Sequence, residues 1–318
     1  MATKKKISIL IPAYNEEKML RETCRALTAF IDSDAACPGR YDYEVLFVND
    51  GSTDATDTIL SEMHAVDDRF NYLTLSRNFG KENALLAGLD YVSGDCCIIM
   101  DADLQHPVDV IPAMTSRWEE GYDDVYGKRR TRGSESWLRR RLTKAYYRLL
   151  QATSDLDILP DVGDFRLLDR RCIDALRSLR ETQRYTKGLY TWIGYRKTGV
   201  EFDQQSNTTR PSTFSFRKLF NLAVEGITSF TTAPLRIATF AGLAGALMSF
   251  LYLIWIFVKT IIWGDPIQGF PTLMCTILLL GCLQLMALGI IGEYIGRIFK
   301  ETKNRPVYIA SALNGKKL

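Results

Sequence analysis

Two aspartates separated by one residue, Asp101 and Asp103, follow a short apolar run, and the amide of Gln105 comes two positions later. The run, residues 96–100, has the length and bounding polar residues of a buried strand. Carboxylate and amide oxygens are hard ligands for divalent cations such as Mg²⁺ or Mn²⁺, which also hold phosphates. The pattern therefore predicts a diphosphate-handling metal site formed by Asp101, Asp103 and Gln105.

Short β-rich runs alternate with helical patterns through the first hundred residues. The predicted strands cover 7–12, 45–49, 72–75 and 96–100, and the predicted helices cover 16–31, 54–66 and 81–92. This alternation is typical of an α/β fold with a mostly parallel sheet and helices on both faces. Ligands bind outside the carboxyl ends of such strands, where three polar clusters fall, at 14–16, 49–52 and 101–105.

Asp50 lies in the second cluster and is followed by Gly51-Ser52-Thr53-Asp54. The segment also fits a tight turn in which Ser52 or Thr53 caps the next helix. We expect that cap and assign the Asp50 carboxylate to a nucleobase or ribose. No GxGxxG follows a strand and no GxxxxGK[ST] occurs, which argues against dinucleotide redox enzymes and P-loop NTPases.

Composition narrows the class of protein further. The formal charge of +3 over 318 residues is too small to indicate nucleic-acid binding. Seven cysteines without CxxC spacing fit reduced thiols in a cytosolic domain rather than a disulfide framework or a zinc site. Residues 7–11 are too few for a secretion signal and are expected to form a strand.

The apolar excess lies near the C-terminus, where residues 237–258 and 270–292 carry no charge. Each run exceeds the roughly 20 residues that cross a bilayer, and neither has the polar face of a globular helix. Basic residues flank the outer ends, which predicts cytoplasmic termini. We predict a cytosolic catalytic domain over 1–213, juxtamembrane amphipathic helices over 214–234, two transmembrane helices over 235–296 (about 235–259 and 270–295), and a cytoplasmic tail over 297–318.

Six motifs resemble, in order, those of the GT-A glycosyltransferases of family 2, and within it the polyprenyl-phosphate glycosyltransferases. They span nearly the whole chain: Pro12-Ala-Tyr-Asn-Glu16, Asn49-Asp-Gly-Ser-Thr-Asp54, Arg77-Asn-Phe-Gly-Lys-Glu82, Asp101-Ala-Asp-Leu-Gln-His-Pro107, Gly163-Asp-Phe-Arg-Leu167, and Gly292-Glu-Tyr-Ile-Gly-Arg297 with Arg305-Pro-Val-Tyr308. The resemblance implies inverting transfer of a sugar from a nucleotide diphosphate to a membrane-embedded polyprenyl phosphate. It also implies a GT-A domain, a Mg²⁺ or Mn²⁺ cofactor, and a homo-oligomer such as a tetramer.

The resemblance also assigns roles to residues. It implies a catalytic set of Asp103, Asp164 and Arg129. It implies donor contacts from Pro12, Tyr14, Glu16, Asp50, Lys81 and Asp101, and acceptor-phosphate contacts from Arg129, Arg139, Thr143, Arg210 and Ser215.

Some of these assignments leave alternatives open. The segment after Arg210 lacks the glycine and lysine of the family pattern. The basic residues from 127 to 141 also fit a solvated helix face or a belt attracted to anionic lipid headgroups. Asp164 is a general base, an orienting residue or a residue with a structural role in a turn. A general base is hardly needed, because the acceptor phosphate has a second pKa of about 6.

The predicted activity is transfer of glucose from UDP-glucose to undecaprenyl phosphate at the cytoplasmic leaflet of the bacterial inner membrane, for cell-envelope or O-antigen modification. Galactose, N-acetylhexosamine, mannose and aminoarabinose donors stay open, because enzymes that use them share these motifs. A processive polysaccharide synthase would carry a Gln-x-x-Arg-Trp motif and more spans, and a scaffold would need no ordered acids at strand ends. The expected partners are UDP-hexose, undecaprenyl phosphate and membrane lipids, without nucleic acid.

Overall fold

The computed structural model describes residues 4–33, 36–37, 39–130, 162–182, 184–203 and 269–318, with isolated helical positions between 242 and 262. Among these, residues up to 203 and residues from 306 onward form one unit, and the last helix belongs to a second. The predicted juxtamembrane helices over 214–234 lie outside the described residues, as does most of the predicted span over 235–259. No helix among the described residues has both the length and the apolarity of a bilayer span.

The first unit is built on a sheet of nine described strands. They are β1 (Lys5–Ala13), β2 (Tyr41–Asn49), β3 (Phe70–Leu75), β4 (Cys96–Ile99), β5 (Asp124–Arg129), β6 (Val162–Asp169), β7 (Lys197–Phe202), β8 (Ala310–Leu313) and β9 (Lys316–Lys317). Their order across the sheet is β7-β5-β6-β4-β1-β2-β3-β8-β9. The central strands β3, β2, β1 and β4 are parallel to one another, so their carboxyl ends share one edge.

Seven α-helices have both ends among the described residues. They are α1 (Leu20–Ile31), α2 (Thr56–Val66), α3 (Lys81–Tyr91), α4 (Ile111–Glu119), α5 (Arg170–Ser178), α6 (Thr186–Trp192) and, in the second unit, α7 (Phe270–Thr302). The predicted α/β fold and all four predicted strands are confirmed. Antiparallel strands extend the sheet beyond the parallel centre, because β6 pairs antiparallel with β4 and β5.

Two helix starts differ from the sequence prediction. Helix α1 begins at Leu20, and the backbone N–H groups of residues 15–17 before it donate to side chains of Ser52, Thr56 and Asp54. The predicted cap by Ser52 or Thr53 is wrong. Helix α2 begins at Thr56, whose N–H donates to Asp54.

The hydrophobic core follows from the alternation of β1, whose side chains point to opposite faces of the sheet. Ile7, Ile9 and Ile11 belong to the buried cluster that includes α1 and α4 residues. Leu10 points to the other face, where Gly88 of α3 approaches it so closely that a Cβ would lie 2.1 Å from a Leu10 methyl carbon. The packing of α3 on β1 fixes the helix that begins with Lys81.

The segment over 297–318, predicted as a cytoplasmic tail, contains the end of α7 and two strands of the sheet. Helix α7 continues to Thr302, and β8 pairs antiparallel with β3 before β9 folds back on β8. Asn314 and Gly315 form the connecting turn with φ of 49° and 74°. Asn-Gly is a strong signal for a two-residue hairpin turn. The sequence therefore carried a turn signal for this hairpin, although its strands are only four and two residues long.

Asn314 also attaches the hairpin to β3. Its Oδ1 accepts from the Tyr72 N–H at 2.8 Å, and its Nδ2 donates to Asn71 Oδ1 at 2.8 Å. Each such bond is worth about 1 kcal/mol net, and alanine tolerates the positive φ less well than asparagine.

We expect Asn314→Ala to lower the free energy of unfolding by about 2 kcal/mol, measured by urea unfolding of the purified protein. Ser311→Ala, on the exposed side of β8, is the matched control and should stay within about 0.5 kcal/mol of wild type. Equal stability of the two variants would contradict the role assigned to Asn314.

Candidate functional site

A cleft of about 250 Å³ lies in the first unit where polar loops follow the parallel strands. Its described lining comes from the end of β1 and the loop after it, the turn after β2, the start of α3 with the residues before it, and the loop after β4. The lining residues are Pro12, Ala13, Tyr14, Glu16, Asp50, Asn78, Gly80, Lys81, Ala84, Asp101, Ala102 and Asp103. The structure thus brings together every residue predicted for donor contact, and adds Asp103.

Lys81 connects two carboxylates at this edge of the sheet. Its Nζ lies 2.6 Å from Asp101 Oδ1 and 2.8 Å from Asp164 Oδ2. Asp101 follows β4, whereas Asp164 lies near the start of β6, far along the chain. Because β6 runs antiparallel to β4, its beginning lies beside the carboxyl end of β4. The antiparallel pairing is therefore what brings Asp164 to Asp101.

The charges of this triad stabilise one another. Burial alone would lower the pKa of Lys81, but the carboxylates of Asp101 and Asp164 raise it above its ordinary value. Burial would likewise raise the pKa of Asp164, yet the Lys81 ammonium, with Lys187, holds it below the usual range. Both groups are therefore charged at neutral pH.

Asp50 has a structural role that the sequence did not reveal. It is buried, and its two oxygens accept from the Phe79 and Gly80 N–H groups at 2.7 and 2.8 Å. Burial raises the pKa of this carboxyl, while the two backbone bonds act in the opposite direction. Asp50 lines the cleft, and it also holds the loop that leads into α3.

Gly51 brings the same two loops into contact. Its φ is +66°, and an added Cβ would lie 2.4 Å from the carbonyl carbon of Arg77. Only glycine has both the conformational freedom and the space for this approach. Asp50 and Gly51 together form a latch between the turn after β2 and the segment that precedes Lys81, and we call this contact the loop latch.

His106 is a residue that the sequence analysis quoted in a motif without assigning a role. The ring is buried and stacks on Phe165 with centroids 4.7 Å apart. Its Nδ1 accepts the Asp101 N–H at 3.1 Å, which requires an unprotonated nitrogen there. Burial lowers the pKa of His106, in keeping with a neutral ring. His106 therefore holds the Asp101 backbone against the β6 residue next to Asp164.

Two of the three predicted metal ligands line the cleft, and the third does not. Asp101 and Asp103 both line the cleft, and their hard carboxylate oxygens suit a divalent cation. Gln105 lies outside the lining residues, and its backbone N–H donates to Asp103 Oδ1 at 3.1 Å. No group of three His, Cys, Asp or Glu side chains suited to a metal ion occurs among the described residues. The pair of aspartates fits a cation that also takes oxygens from a bound phosphate.

The predicted acceptor residues are mostly beyond what the structure describes. Arg129 is exposed at the end of β5, near enough to His106 to oppose protonation of that ring. Arg139, Thr143, Arg210 and Ser215 lie outside the described residues.

Comparison with known proteins decides the family. Residues 8–177 match Glycosyl transferase family 2, and residues 233–298 match the GtrB C-terminal hairpin. The chain belongs to glycosyl transferase family 2.

This family 2 glycosyltransferase has relatives similar over nearly its full length. A prophage-derived bactoprenol glucosyl transferase of Shigella flexneri is 41% identical over 304 residues, which cover 96% of this chain and 97% of that protein. An uncharacterized glycosyltransferase of Synechocystis is 41% identical over 309 residues, covering 97% of this chain and 96% of that one. A solved mannosyltransferase from Pyrobaculum calidifontis, in complex with GDP-Man and Mn²⁺, has 15% identity and a TM-score of 0.46, covering 93% of this chain and 76% of that one.

The lowered pKa of Asp164 predicts how this glycosyltransferase responds to acid. Above the unfolded value of 3.8 the carboxylate contributes stability through Lys81, and this contribution is lost as pH falls through the lower folded value. The difference in free energy of unfolding between wild type and Asp164→Asn should be constant from about pH 5 to 8 and shrink below about pH 4. Urea unfolding across pH measures it, and a difference that widens in acid would refute the ion pair.

The loop latch predicts a second, separate effect. Gly51→Ala should lower the free energy of unfolding by about 2 kcal/mol or more, because alanine is strained at this φ and meets Arg77 backbone. Gly39→Ala is the control, since nothing lies within 4 Å of a Cβ there. Thermal unfolding of both variants tests this, and an unchanged midpoint for Gly51→Ala would show that the loops are not latched.

Proposed function

We propose that this glycosyltransferase transfers glucose from UDP-glucose to undecaprenyl phosphate, with inversion at the anomeric carbon. One observation carries the proposal: Asp101, Asp103 and Lys81 meet in a single cleft at the carboxyl edge of the parallel strands. That arrangement supplies both a cation site and a fixed positive charge for a nucleotide diphosphate. The similarity to the Shigella bactoprenol glucosyl transferase supports glucose as the sugar and a polyprenyl phosphate as the acceptor.

Asp101 and Asp103 are the residues that would hold Mg²⁺ or Mn²⁺. When bound, the ion would neutralise charge that develops on the departing diphosphate. Tyr14 is 44% exposed on the cleft wall, where its ring can contact the nucleoside. Asp50 fixes the neighbouring wall, and Pro12 and Glu16 complete the donor side of the proposed site.

Asp164 acts in this proposal as an orienting residue rather than as a general base. Its Oδ2 is paired with Lys81, and its lowered pKa makes it a weak proton acceptor. The acceptor phosphate is already largely ionised near neutral pH, with a second pKa of about 6. In this proposal Asp164 holds Lys81 in the cleft.

The acceptor is proposed to meet guanidinium groups, because two anionic reactants repel each other. Arg129 is exposed at the end of β5 and would be one such group. A guanidinium stays charged and binds phosphate oxygens bidentately. Arg139, Thr143, Arg210 and Ser215 are proposed to complete this acceptor site.

We further propose two membrane spans, cytoplasmic termini and a bacterial inner-membrane location, with assembly as a homo-oligomer. The two charge-free runs support the spans, and the match to the C-terminal hairpin over 233–298 covers both of them. Large apolar side chains are exposed along α7, for example Leu273, Leu285 and Leu288. Such side chains suit contact with lipid tails.

The direct test supplies purified enzyme and undecaprenyl phosphate with Mn²⁺ and a panel of UDP-sugars, and measures the lipid product by mass. We expect UDP-glucose to give undecaprenyl-phosphate hexose and EDTA to abolish the product. Asp103→Ala should lower turnover by about 100-fold or more. Asp109→Ala, an exposed aspartate six residues later, should leave it unchanged.

Each outcome bears on a different part of the proposal. Product from another UDP-sugar alone would replace glucose while retaining the reaction. Full turnover in EDTA, or by Asp103→Ala, would overturn the metal-dependent mechanism. Transfer without the lipid acceptor would overturn the acceptor assignment.

A further inference from the structure

The ammonium group of Lys81 would repel a metal ion that approaches Asp101. Its ammonium contacts Asp101 Oδ1 at 2.6 Å, so a metal ion bound to either Asp101 oxygen would lie a few ångströms from a like charge. Repulsion at such distances weakens binding even when solvent screens it. Asp101 therefore pairs with the Lys81 ammonium and would also bind the metal ion, and these two cations repel each other.

The acidic lining of the cleft as a whole would repel a nucleotide diphosphate. Its described lining carries four carboxyl groups, from Glu16, Asp50, Asp101 and Asp103, and one ammonium group, from Lys81. A diphosphate that enters without a metal ion would face mostly acidic groups. The metal ion and the diphosphate therefore each need the charge that the other brings.

Lys81 has the freedom to respond to that charge. It is the first residue of α3, its side chain is 44% exposed, and its second partner, Asp164, comes from another strand. A diphosphate in the cleft would offer it an anion in place of Asp101, while Asp164 keeps it at the site. Asp101 would then be left to the metal ion alone.

We propose that Lys81 exchanges Asp101 for the donor diphosphate and thereby makes divalent-cation binding and nucleotide binding cooperative. This inference rests on the proposed function and assigns Lys81 a role in coupling the two ligands. The coupling is reciprocal, so UDP must tighten Mn²⁺ by the same factor by which Mn²⁺ tightens UDP.

The test measures binding, not turnover. Mn²⁺ is titrated into the full-length protein with and without UDP, and free Mn²⁺ is followed by electron paramagnetic resonance. For wild type we expect UDP to tighten Mn²⁺ binding by about tenfold or more. For Lys81→Met we expect Mn²⁺ alone to bind about five- to tenfold more tightly than to wild type, and the gain from UDP to fall by a similar factor.

Three variants make the result specific. Lys81→Arg keeps the charge and should bind Mn²⁺ alone as weakly as wild type. Lys4→Met removes a lysine of similar exposure, 47%, that pairs with Asp42, and should not change Mn²⁺ affinity. Lys81→Gln provides a second neutral side chain if the methionine variant unfolds, as judged by its thermal midpoint.

Unchanged or weaker Mn²⁺ binding by folded Lys81→Met or Lys81→Gln, without UDP, would overturn this inference. Tighter binding by Lys4→Met to the same degree would also overturn it, since net charge alone would then explain the effect. Glucose transfer by the wild-type enzyme is measured separately. If the enzyme transfers glucose but the Mn²⁺ titrations contradict the inference, the proposed function stands and only the role of Lys81 is overturned. If the enzyme transfers no glucose, the proposed function is overturned.

Discussion

One ammonium group shared by two carboxylates organises the candidate active site. Asp101 follows β4, whereas Asp164 lies in β6, which runs in the opposite direction, and without Lys81 their charges would repel at the sheet edge. The shared ion pair fixes where α3 begins relative to β4 and β6. It also sets the electrostatics of the cleft, because the charge that steadies these carboxylates is the same charge that a diphosphate would seek.

The support around this triad is mostly backbone geometry. The loop latch holds the segment before α3 through Asp50 and Gly51, and Gly88 lets α3 lie directly on β1. On the other side, His106 accepts the Asp101 N–H and stacks on Phe165, which adjoins Asp164. Each member of the triad is thus held by a different part of the fold, as a site built on rigid elements requires.

Much of this could be predicted from residue order, because parallel strands place the residues that follow them at one edge. That rule was enough to place Tyr14, Asp50 and Asp101 at the same edge of the sheet. It could not place Asp164 geometrically, since nothing local in the sequence shows that β6 is antiparallel to β4. The structural duties of Asp50 and His106 depend on contacts between distant loops, which spacing along the chain does not encode. The Asn314-Gly315 turn had a clear local signal, but its strands are too short for a periodic pattern to stand out.

The β8–β9 hairpin has a consequence for biosynthesis. Strand β8 covers β3, and a strand with unpaired backbone groups is a template for unwanted pairing. Because β8 follows α7 in the chain, the β3 edge must remain open until α7 has been synthesised. Completion of the sheet is thereby deferred until β8 has been made, and a chain that terminates before β8 would keep an unpaired strand edge.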